Sequence, residues 1–255
     1  MSQFEVLGRD IVSGLEKGLA VIEAFDRTRP KLSPGEVAKL TGLTRAAARR
    51  YLLTLVKNRY AEHDGKFFWL SPRVLKLGYA YLSSTTLSGR LQPFLEEISA
   101  KTGESSSAAI LDGVDVLYIA RSSTSRIMAV DLSVGSQLPA YCTALGRVLL
   151  AFSAPEVLSS YLETANLVAL TPKTRHTVPE LREILLEVRR DGFAVVDEEL
   201  ALGLRSIAIP VFNAQANLVT SINISVAAVR ASVKDILDRF LPVLLSAQED
   251  LRRVL

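Results

Sequence analysis

Residues 33–58 read SPGEVAKLTGLTRAAARRYLLTLVKN, a run that leaves few folds open. Ser33 and Glu36 have the S-x-x-E spacing of a capping box, and Pro34 stands at the first helical position, where its missing N–H costs no hydrogen bond. Val37 and Leu40 supply an inward face, and Gly42 stops the helix. Thr44 caps a second helix that runs to about Asn58. The turn TGLT at 41–44 is short and contains glycine, which predicts a helix-turn-helix whose second helix enters the major groove of DNA.

The flanking segments complete this pattern. Upstream, Ser13 is placed to cap a helix carrying Leu15, Leu19, Ile22 and Phe25, ended by the breakers near Pro30. Downstream, two short strands at 60–63 and 67–70 flank Asp64-Gly65, a strong hairpin signal and hence a wing. On a helical wheel Ala48, Leu52, Leu55 and Val56 face inward. Ala46, Ala47, Arg50 and Thr54 face out, with Arg45 and Arg49 beside them. Small outer residues let the helix backbone approach the groove floor, where their methyls can meet thymine methyls. Arg49 or Arg50 can then offer a fork to guanine, worth about 1–3 kcal/mol of discrimination. Thr44 and Arg45 at the helix start suit phosphate, Ser33 at the start of the preceding helix is a further candidate DNA contact, and Lys66 at the hairpin tip suits the backbone or minor groove.

Charge agrees with an anionic partner for this part of the chain. The net charge is +3, but residues 1–82 hold 14 Lys/Arg against 8 Asp/Glu, a net of +6, and residues 83–255 carry the compensating −3. Apolar residues make up 49% and charged residues 22%, enough for a real core and unlike a disordered chain. No apolar run approaches membrane-spanning length, and residues 1–10 lack the form of a secretion signal. The single cysteine, Cys142, forbids an intramolecular disulfide and suits a reducing cytoplasm.

A helix from Ser71-Pro72 and another over 87–102 lead into strands alternating with helices. Strands are expected at 106–111, 116–122, 127–131, 192–196, 206–212 and 218–226, and helices at 157–162, 179–190 and 231–255. Such a pattern makes the second domain α+β or α/β.

The stretches SGLEKGLAVIEAF, SPGEVAKLTGLTRAAARRYLLTL and YAEHDGKFFWLSPRVLKLGYAYL closely resemble the winged helix of IclR-type transcription regulators. The resemblance continues through LPAYCTALGRVLLA and GFAVVDEELALGLRSIAIPVF into their effector-binding domain. RSSTSRIMAVDLSVGSQLPAYCTALGR is most similar to the subgroup controlling aromatic-acid catabolism, the protocatechuate and β-ketoadipate pathways, which tends to contain activators. The implied fold class is α+β: a winged helix-turn-helix domain over 1–82 (core about 33–58, wing 60–70), linker helices, and a mixed α/β, GAF-like effector-binding and oligomerisation domain over 83–255.

In the second domain, residues 139–146 run from a turn into a helix start, whose free N–H groups can hold a carboxylate without a cationic side chain. By resemblance the donors fall at Ala144 and Leu145, and polar strand positions at Ser206, Asn223 and Ser225. Relatives that bind very small keto acids can carry an acidic residue just before the D-E-E run and a cysteine at the position of Ser206. Val196 and Ser206 here make a more apolar pocket, consistent with an aromatic or longer acid. Tyr118, Met128 and Tyr141 are placed to line it, with Arg121 or Arg126 to pair a carboxylate or to remain surface charges.

The sequence is compatible with three activities. The first is a regulator responding to a small organic acid, binding operator DNA as a homodimer or dimer of dimers, with RNA polymerase as a further partner and no cofactor. The second is an acid-processing hydrolase or transferase with an appended DNA-binding head. No motif around Cys142 marks a nucleophile, and two histidines with one cysteine make no convincing zinc site. Asp197-Glu198-Glu199 reads as a solvated loop. The third, a purely architectural DNA binder, leaves the large second domain without a role.

Overall fold

The computed structural model describes residues 10–26, 28–84, 86–124 and 132–255. The chain divides into two compact units, Met1–Ser84 and Thr85–Leu255. Strand 127–131, Met128 and Arg126 of the sequence reading lie outside the described residues.

The first unit contains α1 (Ser13–Glu23), α2 (Pro34–Thr41), α3 (Arg45–Lys57), β1 (Ala61–His63), β2 (Phe68–Leu70) and α4 (Leu75–Ser84). Its core is Val21, Ala24, Leu32, Val37, Ala48, Leu52 and Phe68. Ser33 caps α2 with the full capping box, and Gly42 ends it at φ 69°, a left-handed conformation that glycine adopts without a Cβ penalty. Thr44 caps α3 by accepting from the Ala47 N–H at 3.2 Å. The β1–β2 hairpin gains a third partner, because Leu32 and Phe68 exchange backbone hydrogen bonds of 2.9 and 2.8 Å.

Two expectations fail here. Val12, not Ser13, holds the cap position of α1, and Ser13 is already helical. The stripe Leu15–Leu19 is exposed, as is Leu40 of α2. The inward face is set by Val21 of α1 and by Ala24 at its C-cap, small enough to lie against α3.

The second unit comprises α5 (Thr86–Thr102), β3 (Ser105–Asp112), β4 (Asp115–Ser122), β5 (Gln137–Pro139), α6 (Ala144–Ala151), α7 (Pro155–Thr164), α8 (Val178–Asp191), β6 (Ala194–Asp197), β7 (Leu204–Phe212) and β8 (Leu218–Ala227), then α9 (Val233–Asp235) and α10 (Leu241–Val254). The sheet runs β5-β4-β3-β8-β7-β6, antiparallel at each junction. Strand alternation sorts its two faces. Ile207, Ile209, Ile222, Ile224 and Val226 pack on α5 and α10, through Leu91, Leu95, Ile98 and Leu244. The opposite face carries Val196 and Ala208 against α6 and α8.

The expected single helix over 231–255 starts at Val233 and contains a π-helical stretch at Ile236–Phe240. Pro242 lacks an N–H and its ring crowds the carbonyl four residues back, so the wider turn relieves the clash.

Candidate functional site

On α3 the outward residues are Arg45, Ala46, Arg49, Arg50 and Thr54, while Ala48 and Leu52 are buried in the core and Ala47 is half-buried. Among the described residues, Arg45, Arg49 and Arg50 have no ion-pair partner, so all three guanidinium groups are available to an external anion or base edge. A depression of about 340 Å³ beside α3 is lined by Lys17, Leu43, Ala47, Arg50, Tyr51 and Thr54. Lys17, from α1, is a cation that the wheel of α3 alone does not reveal. Ser33 is less available than the sequence suggests. Its hydroxyl donates to Glu36 Oε2 at 2.7 Å and its amide to the same oxygen at 2.7 Å, so both donors are spent on the cap.

Lys66 is exposed at the wing tip. The turn beneath it is held by Asp64 Oδ1, which accepts from the Lys66 and Phe67 amides at 3.0 and 2.8 Å. Those amides, Phe67 first, hold the Asp64 carboxyl below its ordinary pKa.

In the second unit, α6 is buried throughout its length. Thr143 caps it by accepting from the Gly146 amide at 3.1 Å. The amides of Ala144 and Leu145 precede the first intrahelical bond and find no acceptor among the described residues. Gly146 allows this helix start to press on the turn at 140–142, since a Cβ there would lie 2.2 Å from the Ala140 oxygen.

A small cavity of about 20 Å³ opens beside that helix start. Tyr118, Ala144, Leu145, Ser206, Asn223 and Ser225 of the sequence reading line it, with Val196. Leu132, Cys142, Thr143, Leu200 and Leu204 complete the wall. Of these, Leu132, Leu200 and Leu204 come from loops and strand ends, where no periodic pattern marks them. Burial pushes the Tyr118 phenol and the Cys142 thiol up to about 12, so both are neutral groups at working pH.

Two anticipated lining residues are placed otherwise. Tyr141 points away, its hydroxyl donating to the Val168 carbonyl at 2.6 Å. Arg121 lies outside the cavity wall, donating through Nη1 to Ser107 Oγ at 2.9 Å.

The Asp197-Glu198-Glu199 run is not a solvated loop. Glu199 is buried and takes a bidentate pair from Arg147 at 2.7 and 2.6 Å, and also accepts from the Arg175 amide at 2.8 Å. Arg147 Nε donates to the Tyr141 carbonyl at 2.8 Å. Lys173 reaches Asp197 and Glu198 at 3.2 and 2.6 Å, and Arg205 pairs with Asp197. Burial raises the Asp197 pKa but Arg205 and Lys173 outweigh it, leaving the carboxyl below its ordinary value. Charges that would be costly alone are thereby matched, and the loop bearing Leu200 is tied to α6.

A larger groove of about 450 Å³ lies along α8 and β6. Glu180, Glu183, Glu187 and Asp191 line it, a set of carboxylates that disfavours an organic anion despite the nearby Arg147 and Arg175.

The family model of the IclR helix-turn-helix domain matches residues 14–65, and that of the bacterial transcriptional regulator IclR C-terminal matches residues 79–253. The chain belongs to the IclR family. It is a DNA-binding transcription regulator of α+β fold, and the enzyme alternative is set aside. Over 243 residues it is 45% identical to the Pca regulon regulatory protein of Pseudomonas putida, spanning 95% of this chain and 84% of that protein. It is 36% identical over 258 residues to the p-hydroxybenzoate hydroxylase transcriptional activator of Acinetobacter baylyi, spanning 99% and 95%. A double mutant of the PobR inducer-binding domain from Acinetobacter, in complex with 3-hydroxybenzoic acid, superposes with a TM-score of 0.61. Its identity is 31%, with 66% of this chain and 98% of that chain covered. These likenesses place the chain in the aromatic-catabolism subgroup of IclR regulators. Among the described residues no helix is long and apolar enough to cross a membrane.

Proposed function

We propose that this IclR regulator acts in the cytoplasm as an activator of aromatic-acid catabolism, switched by an aromatic acid in the cavity beside α6. The observation that carries the reading is the pair of amides at Ala144 and Leu145, without an acceptor among the described residues, on residues that line a largely apolar cavity with a polar cluster on the sheet side. Two N–H groups at a helix N-terminus take a carboxylate well, and neutral Tyr118 adds a further donor in the wall. Pockets that hold a ring are usually hundreds of Å³. The effector therefore binds by parting Leu132, Leu200 and Leu204, and this opening is the conformational change that binding energy selects.

Operator binding is assigned to α3 and the wing. Arg49 and Arg50 read bases, Ala46 and Ala47 allow close approach, and Thr44, Arg45 and Lys66 hold phosphate. Ser33 contributes through the cap it gives α2. The working form is a homodimer or dimer of dimers, supported by the exposed Leu75, Leu77 and Tyr79 of α4 and Leu15 of α1, apolar side chains a monomer would leave in water. Activation then passes through RNA polymerase at the promoter.

The test uses full-length protein and an operator selected from random DNA. Arg50→Ala is expected to relax preference at one base pair, by about 1–3 kcal/mol, while nonspecific binding persists. Ser206→Leu is expected to fill the cavity and abolish the response of operator binding to 4-hydroxybenzoate or 3,4-dihydroxybenzoate. A normal response in Ser206→Leu removes the cavity from the mechanism, and an unchanged base preference in Arg50→Ala removes that side chain from readout.

A further inference from the structure

The tip of the wing, residues 64–67, has its backbone donors engaged. The Asp64 amide donates to the Phe67 carbonyl at 3.2 Å. The Lys66 and Phe67 amides donate to Asp64 Oδ1 at 3.0 and 2.8 Å, and the Gly65 amide donates to His63 Nδ1 at 3.1 Å. A DNA duplex presents acceptors, in phosphate oxygens and base edges, so a tip without a free amide meets it through side chains. The Trp69 indole N–H of the hairpin is already bonded to Glu62 Oε2 at 3.0 Å. Among the described residues, two side-chain donors of the hairpin stay open, the Lys66 ammonium and Nε2 of His63.

The structure fixes the character of the second. A ring nitrogen that accepts a hydrogen bond carries no proton, so the bond from Gly65 puts the imidazole proton on Nε2. The ring in this arrangement is uncharged, with its single N–H on the side away from Nδ1. The ring is also held in place. It stacks on Phe68 with centroids 5.3 Å apart and planes at 19°. His63 and Phe68 are paired across β1 and β2, and Phe68 belongs to the core of the first unit, while His63 remains exposed. A donor anchored on the core loses less conformational freedom on binding than a lysine head on its flexible stem.

We propose that His63 is a further DNA-contacting residue of the wing, whose Nε2–H is a positioned, uncharged donor to an acceptor of the operator beside the Lys66 cation. The inference rests on the assignment of the wing to operator DNA. The two side chains divide the work. Lysine neutralises a phosphate and releases a counterion, so its contribution falls with salt, whereas a neutral N–H releases none. The acceptor is a phosphate oxygen or the A·T minor-groove edge, adenine N3 or thymine O2.

Asparagine and glutamine separate the two ring nitrogens. In His63→Asn the amide oxygen takes the place of Nδ1 and keeps the Gly65 bond, but no group reaches as far as Nε2. In His63→Gln the amide nitrogen reaches the place of Nε2, and the turn bond is lost. Binding of the full-length protein is measured by fluorescence anisotropy over a range of salt in mildly alkaline buffer, on a selected operator and on random DNA. His63→Asn is expected to keep the melting temperature and salt slope of the parent and to bind the operator about 3- to 10-fold more weakly, the range of one neutral hydrogen bond. His63→Gln is expected to bind more tightly than His63→Asn. A deficit shared by random DNA identifies a phosphate as the acceptor, and one confined to the operator identifies a base edge; either supports the inference. Parent affinity in His63→Asn overturns it and leaves His63 as a residue of the turn, with the wing still on the DNA if Lys66→Ala lowers the salt slope. A salt slope that falls in His63→Asn also overturns it, since a cation has then been lost. So does weaker binding by His63→Gln than by His63→Asn, which traces the effect to the turn. Parent behaviour in both His63→Asn and Lys66→Ala removes the wing from the operator, and the inference with it.

Discussion

In the proposed function the outer face of α3 and the wall of the α6 cavity are both recognition surfaces, and they handle polarity in opposite ways. Arg45, Arg49 and Arg50 are exposed and have no ion-pair partner among the described residues, and in water an unpaired charge costs little to display. Ser206, Asn223 and Ser225 are buried and bond to one another, because an unmatched polar group in such a place costs about 1–3 kcal/mol. The first surface meets a polyanion, whose field reaches it through solvent. The second meets a small molecule that must replace each interaction it disturbs. The head can therefore lose a contact and keep its fold, whereas in the body the recognition groups and the structural core are the same residues.

The largest expected effect is at the point where this entanglement is strongest. Glu199→Ala strands the Arg147 guanidinium, which is 3% exposed at its side chain and otherwise bonded to the Tyr141 carbonyl. Removing one member of a buried pair costs about 3–5 kcal/mol. Calorimetric melting of the full chain is expected to show the body destabilised by that order and operator affinity at low temperature preserved. Arg147→Met with Glu199→Leu is expected to regain most of the loss, since apolar groups of similar volume leave no charge to solvate. A double variant no better than the single one would mean the pair specifies the position of the 197–204 loop rather than only its charge balance.

Gly146→Ala ranks next. Its added Cβ would fall 2.2, 2.4 and 2.6 Å from the Ala140 oxygen, Cα and carbonyl carbon, all backbone atoms that cannot swing aside. Overpacking of this kind costs about 1–3 kcal/mol. Because the strain is relieved only by moving the start of α6 off the turn, the Ala144 and Leu145 amides move with it. Titration with 4-hydroxybenzoate is expected to show weakened binding well beyond the loss of stability. Affinity equal to that of the parent protein would separate the helix start from the carboxylate.

The same contrast explains what could be read before the fold was known. Helices α2 and α3 and the wing are written in local chemistry: a capping box at Ser33, glycine at 42, a D-G step at 64–65. Each signal acts over three or four residues and needs no tertiary information. The exposed stripe of α1 shows where local pattern ends, since Leu15 and Leu19 have helical spacing but the core selects Val21 and Ala24. Strand β5 has no signal in the sequence, because three edge residues pairing with β4 carry no alternation. Proximity in sequence to the α6 start suggests that Tyr141 lines the cavity, whereas the short turn at 140–142 takes its hydroxyl to the Val168 carbonyl. Ala144, Leu145, Ser206, Asn223 and Ser225 came from resemblance. Their convergence depends on the β7–β8 register, which periodicity alone does not supply. The role of Glu199 was hidden for the same reason: a D-E-E run looks solvated until Arg147, 52 residues away, is brought against it.

The smallest effect tests the head in its own terms. Lys66 is exposed, and its Nζ lies 5.0 Å from the Phe67 ring, an attachment too weak to shape the turn. The turn is shaped by Asp64, through backbone amides that remain when the lysine side chain is gone. Lys66→Ala is therefore expected to leave the melting temperature unchanged and to lower operator affinity alike for specific and random DNA. One phosphate contact corresponds to a slope of about 0.9 in log K against log salt, so the line should flatten by close to one unit. Asp64→Ala gives the complementary result, because losing the turn scatters the wing tip and removes the same contact together with its geometry. An unchanged salt slope in Lys66→Ala would place the wing off the DNA, and would confine the head's recognition to α3 and the residues beside it.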